Sequence, residues 1–153
     1  MNPFFRAFAV TACTLLVVCS ITVLVTGRER VSAVAVADAD SVAPVFTIEQ
    51  ATTGKAAYAK NCASCHLPDL SGSAEIPALA GKPFTDTWGA RTTKELLDYM
   101  SAAMPYGGPS LEADTYLSIL AYVLHSNGAA AGQQPLTASV AARIDALTTN
   151  YRH

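Results

Sequence analysis

The residues best placed to do chemistry are Cys62-Ala63-Ser64-Cys65-His66, a C-x-x-C-H run. Two thiols three positions apart on a helical turn point the same way, and the next residue adds an imidazole beside them. Three chemistries suit such a set: a redox dithiol, half of a zinc site, or covalent attachment of haem c. A zinc site needs further ligands, but His125 and His153 stand alone, and the other cysteines, Cys13 and Cys19, sit in an apolar block. A thioredoxin-like dithiol follows a strand, whereas the residues before Cys62 read as helix. Attachment of one haem c remains, with thioethers to Cys62 and Cys65 and the His66 imidazole on one face of the iron.

The other face needs a ligand too. Candidates are Met100, Met104, His125 and His153. A ligand that reaches in from the far side suits a loop. Met104 opens the run Met104-Pro105-Tyr106-Gly107-Gly108-Pro109, which cannot continue a helix. Met100 shares a helix face with Leu96 and Leu97 and reads as core; His125 and His153 read as surface. With His66 and Met104 as the metal ligands the iron is six-coordinate, and neutral thioether sulfur raises the reduction potential. That favours single-electron transfer over catalysis or small-molecule chemistry. A peroxidase or gas sensor would need an open sixth position.

The elements that must hold these groups read as a small all-α domain over 47–128. Thr47 and Gln50 fit a capping box opening a helix to Asn61, with Ala51, Gly54 and Tyr58 on one face. A Pro-, Gly- and Ser-rich loop spans Leu67 to Pro83. A second box, Thr92 to Glu95, opens a helix bearing Leu96, Leu97 and Met100. Ser110 is positioned to cap a last helix through Ser126, and Asn127-Gly128 stops it. No strand pattern occurs. Residues 129–153 carry only a weak helical stripe, Val140, Ile144 and Leu147, and read as a frayed C-terminal tail.

Upstream, residues 1–30 contain an unbroken apolar run from Ala7 to Thr26. As a helix of about 20 residues it would span roughly 30 Å, the thickness of a bilayer core. It exceeds the usual apolar length of a secretory signal, and the best cleavage site, Ala35-Val36-Ala37, lies beyond Arg28-Glu29-Arg30. A retained N-terminal membrane helix is therefore expected, a cleaved signal being the alternative; Val10-Thr11-Ala12-Cys13 lies too close to Arg6 to serve as a lipobox. Residues 31–46, mostly Ala, Val, Asp and Ser, read as a flexible linker. The formal net charge is −2, without the basic surface that nucleic-acid binding requires.

These residues resemble the bacterial monohaem cytochrome c family, over about Thr47 to Gly128. The likeness rests on Cys62-Ala63-Ser64-Cys65-His66 with Ile76-Pro77-Ala78-Leu79-Ala80-Gly81, and on Met104-Pro105 with Ser110-Leu111 and Tyr116 through Leu124. It is similar in particular to the cytochrome c domains associated with quinoprotein alcohol dehydrogenases. The resemblance implies a helical domain around one haem. It implies that the Pro77 carbonyl accepts a hydrogen bond from His66, that Leu79 packs on the haem, and that Trp88 meets a propionate. It implies that Gly54 and Tyr58 cross the last helix at Ile119 and Tyr122. Because haem c is attached outside the cytoplasmic membrane, it also implies a periplasmic domain.

From Asp38 onward, 11 acidic residues stand against 7 basic ones, so basic or apolar redox partners are expected. These would be a donor dehydrogenase and an acceptor oxidase or another cytochrome. The function expected is an electron carrier; the rival is a dedicated cytochrome subunit of a dehydrogenase or terminal oxidase complex.

Overall fold

The computed structural model describes residues 42–148, which fall within one compact unit of the chain. The apolar segment 1–30, nearly all of the stretch read as a linker, and His153 lie outside the described residues. Among those described, structure is helical, two isolated bridges replace any strand, and no helix is long and apolar enough to cross a membrane.

The first helix, Ile48–Asn61 (α1), starts where its cap predicts: Thr47 Oγ1 accepts the Gln50 N–H at 3.2 Å. The other half of the expected box is not made. Gln50 sends its amide to the Leu136 backbone, donating to the carbonyl at 3.0 Å and accepting the N–H at 2.7 Å. A single turn, Ala63–His66 (α2), follows. The next helix, Gly81–Trp88 (α3), lies partly inside the segment read as loop. Pro83 does not prevent it, because the first turn of a helix has no intrahelical partner for its N–H groups. Helix Thr93–Ala103 (α4) has the complete capping box from Thr92 and Glu95.

Helix Ala113–Ser126 (α5) begins after Glu112, which makes no side-chain cap, and not after Ser110 as expected. It is the central element and buries most of its side chains, from Tyr116 through Leu124. It packs chiefly against α1. At the crossing a Cβ on Gly54 would collide with the Ser118 carbonyl, so only glycine admits this approach. Tyr122 packs against Tyr58 with ring centroids 5.3 Å apart and planes tilted by 53°, as the resemblance implies for that pair.

Two readings of the chain's ends need correction. The tail is not a frayed helix. Residues 129–148 run mostly without regular structure, with isolated bridges at Gly132 and Arg143, and end in the turn Ile144–Leu147 (α6). Gly132 N–H reaches Phe46 O at 2.7 Å, Thr93 N–H reaches Ala142 O at 2.9 Å, and Ile144 N–H reaches Arg91 O at 3.0 Å. Ala129, Leu136, Ile144 and Leu147 enter the core. Nor does the linker extend to 46, since Phe46 is fully buried. The reason is shared: the two ends supply each other's partners, so neither shows the periodicity of a self-sufficient helix.

Candidate functional site

Helix α1 delivers the chain to Cys62, whose N–H bonds the Tyr58 carbonyl at 2.8 Å. The Cys65 and His66 N–H groups then both reach the Cys62 carbonyl, at 3.1 and 2.9 Å. Both thiols thus ride one helical turn. They are not joined to each other; Cys65 is exposed and Cys62 half-buried. Burial, then the neighbouring Cys65, pushes the Cys62 thiol up.

The His66 ring is buried, with Nδ1 2.9 Å from the Pro77 carbonyl oxygen. A carbonyl only accepts, so Nδ1 carries a proton, and in the neutral ring the lone pair then lies on Nε2. This is the tautomer a metal-binding histidine needs, held by a backbone group. Pro77 lies in a loop folded on itself through Gly72 N–H to His66 O at 3.1 Å, Ser73 N–H to Ile76 O at 2.8 Å and Leu79 N–H to Leu70 O at 2.8 Å. Gly72 has φ +64 and no room for a Cβ against the Ile76 carbonyl.

Two buried side chains that the sequence reading did not single out for this task hold that loop. Tyr58 donates its hydroxyl to Leu67 O at 2.6 Å, and burial first of all holds the phenol above its usual range. The bond anchors Leu67 at φ +64, a conformation that costs a non-glycine residue about 1–3 kcal/mol. Asn127, fully buried, accepts the Gly81 N–H at 2.9 Å and donates to Leu79 O at 2.9 Å and Val123 O at 2.8 Å. In sequence, Asn127-Gly128 is legible only as a helix stop.

Met104 is the first residue beyond α4, extended at φ −126 and ψ 146. Its N–H closes the helix on Met100 O at 2.9 Å. Its carbonyl accepts the hydroxyl of buried Tyr116 at 2.5 Å. Met104, Met100, Leu79 and Leu111 are apolar yet only half-buried. Trp88, also half-buried, lies at the end of α3 with the Tyr99 ring 5.2 Å away and the Arg91 guanidinium 5.1 Å above it. His125 is exposed at the end of α5, edge-on to Phe46.

The donor set suits haem c: two unpaired thiols on one turn, an adjacent imidazole in the metal-binding tautomer, and apolar side chains left half-covered. Residues 49–123 match the family model described as "Cytochrome C oxidase, cbb3-type, subunit III". Among solved structures, a chain in the crystal structure of the sulfane dehydrogenase SoxCD from Paracoccus pantotrophus is similar at 25% identity. The match covers 69% of this chain and 59% of that one, with a TM-score of 0.43, so the present chain spans less than two thirds of that chain's length. No curated protein sequence matches. With the C-x-x-C-H turn, the tautomer fixed at His66 and the family match, residues 49–123 form a c-type cytochrome domain, an electron-transfer module that carries haem c covalently on Cys62 and Cys65.

Proposed function

We propose that the chain is a single-electron carrier whose iron is held by His66 and Met104. When bound, haem c supplies a one-electron Fe(III)/Fe(II) couple. The protein's part is to keep both ligands in place so that little moves as the charge changes. His66 is oriented by Pro77. Met104 sits where α4 gives way to a loop, its main chain tied at both N–H and carbonyl. The observation that carries the reading is the Nδ1–H bond of His66 to Pro77 beside two free thiols, which leaves Nε2 available to a metal. A sixth ligand from the protein favours a carrier over an enzyme, a peroxidase or a gas sensor.

The context we propose is the periplasmic face of the cytoplasmic membrane, with residues 1–30 as a retained helix or, alternatively, a cleaved signal. Partners would be a donor dehydrogenase and an acceptor oxidase or another cytochrome, approaching through basic or apolar surface. The wording of the matched family supports a second reading, a dedicated cytochrome subunit of a terminal oxidase complex. Stable co-purification with a large complex would favour that subunit role.

The test of ligation is the absorption spectrum of the oxidised holoprotein, with Met104→Ala beside it. A weak far-red sulfur-to-iron band, lost in the variant, is expected. A high-spin native iron that binds carbon monoxide readily would refute the carrier reading.

A further inference from the structure

The stretch from Met104 to Leu111 is tied down by little. Tyr106 to Ser110 are all exposed, and Tyr106 is 94% exposed. Inside the stretch one turn bond runs from Gly108 N–H to Pro105 O at 3.0 Å. Both ends converge on one atom. The Tyr116 hydroxyl donates to Met104 O at 2.5 Å and accepts the Leu111 N–H at 3.1 Å. Tyr116 is itself buried in the first turn of α5, the helix that forms the middle of the core.

We infer that Tyr116 is a positioning residue for the Met104 sulfur, its hydroxyl acting as the clasp that closes the 104–111 loop and keeps external ligands off the iron. The inference rests on the proposed His66/Met104 ligation. Methionine has three side-chain torsions and reaches many places from a mobile backbone. The Met104 main chain has two hydrogen bonds, the helix bond to Met100 and the bond from Tyr116. Removing the second frees the carbonyl and releases Leu111 at the same stroke. Sulfur binding must then also meet the entropy of ordering the loop, so a competing ligand gains by that amount. The clasp spans the loop's two ends, which is why one hydroxyl governs the whole segment. Asn127, eleven residues on and so on nearly the same face of α5, grips the loop on the histidine side. One helix and the residue that ends it therefore carry both grips, and the two can be removed separately.

The experiment is imidazole titration of the oxidised holoprotein, followed by loss of the far-red band, for native protein, Tyr116→Phe, Thr93→Val and Met104→Ala. Phenylalanine keeps the buried ring and deletes only the hydroxyl. Thr93 is an equally buried hydroxyl bonded to Val140 O at 2.8 Å, away from both ligand loops. It serves as a control for general loosening. Tyr116→Phe is expected to keep the band without imidazole and to bind imidazole at least about tenfold more tightly, which is about 1.4 kcal/mol. Thr93→Val is expected to stay within about twofold of native. Equal affinity in native protein and Tyr116→Phe overturns the clasp, as does an equal gain in Thr93→Val. A native protein with no band, or a band that survives Met104→Ala, overturns the ligation and the clasp with it. A band lost in Met104→Ala but unmoved in its imidazole response by Tyr116→Phe overturns the clasp alone.

Discussion

Replacing Asn127 tests most directly whether side-chain hydrogen bonds from α5 hold the loop behind His66. The Asn127 side chain makes three bonds at 2.8–2.9 Å, to Gly81 N–H, Leu79 O and Val123 O, and is fully buried. Asn127→Ala strands the Gly81 donor and the Leu79 acceptor; Val123 O still receives the Asn127 backbone N–H at 3.1 Å. Each stranded buried group costs about 1–3 kcal/mol. Together the loss should be about 2–6 kcal/mol, a large part of the ~5–15 kcal/mol that holds a domain folded. With a urea slope near the middle of the usual range, about 2 kcal/mol/M, the midpoint should fall by roughly 1–3 M. Asn127→Asp separates this account from simple cavity formation. It keeps the shape and the acceptor for Gly81, but it loses both donors and buries a charge. It should therefore be at least as damaging as alanine. The assay is urea unfolding of the holoprotein by far-ultraviolet circular dichroism. A loss below about 1 kcal/mol for alanine, or an aspartate variant more stable than alanine, would refute the reasoning.

Further outcomes can be checked alongside. Ile144→Ala removes a fully buried tail side chain and should cost about 2–5 kcal/mol in the same urea assay, whereas a frayed tail would lose nothing. Glu95 has its carboxyl held below the usual range, first by the Thr92 backbone N–H and then by its hydroxyl. Its contribution is therefore present above the unfolded carboxylate value of about 4.3 and fades as pH falls through the lower folded value. Glu95→Gln should lose less stability than native protein over that acid range; parallel profiles would contradict this. Tyr106→Ala should leave the unfolding midpoint unchanged, because the side chain is 94% exposed, yet slow electron exchange with a redox partner measured by stopped flow.

Much of the site is legible in sequence because its chemistry is local. Cys62, Cys65 and His66 share one turn, and the box from Thr92 to Glu95 spans three residues, so spacing alone reveals them. The rest depends on long-range partners. Gln50 fits a capping box, but its amide finds Leu136 instead, 86 residues away. Ser110 fits an N-cap, yet the helix starts at Ala113, after Glu112, with Leu111 drawn to the Tyr116 hydroxyl. Helix α3 is obscured by Gly81 and Pro83, residues that punctuate loops elsewhere but are harmless in a first turn. The tail escapes because its irregular segments bond to the main chain beside helix ends and carry no period of their own.

The strap formed by residues 132–147 bears on the order of events during synthesis. The chain emerges from its N-terminus, so Cys62 and Cys65 appear well before Gly132, Leu136 or Ile144. Until those arrive, Phe46 O, the Gln50 amide and the Arg91 carbonyl lack their partners. The nascent domain therefore stays unlatched while its cysteine turn is already present. Residues 132–147 thus close the fold around a cysteine turn that precedes them in the chain.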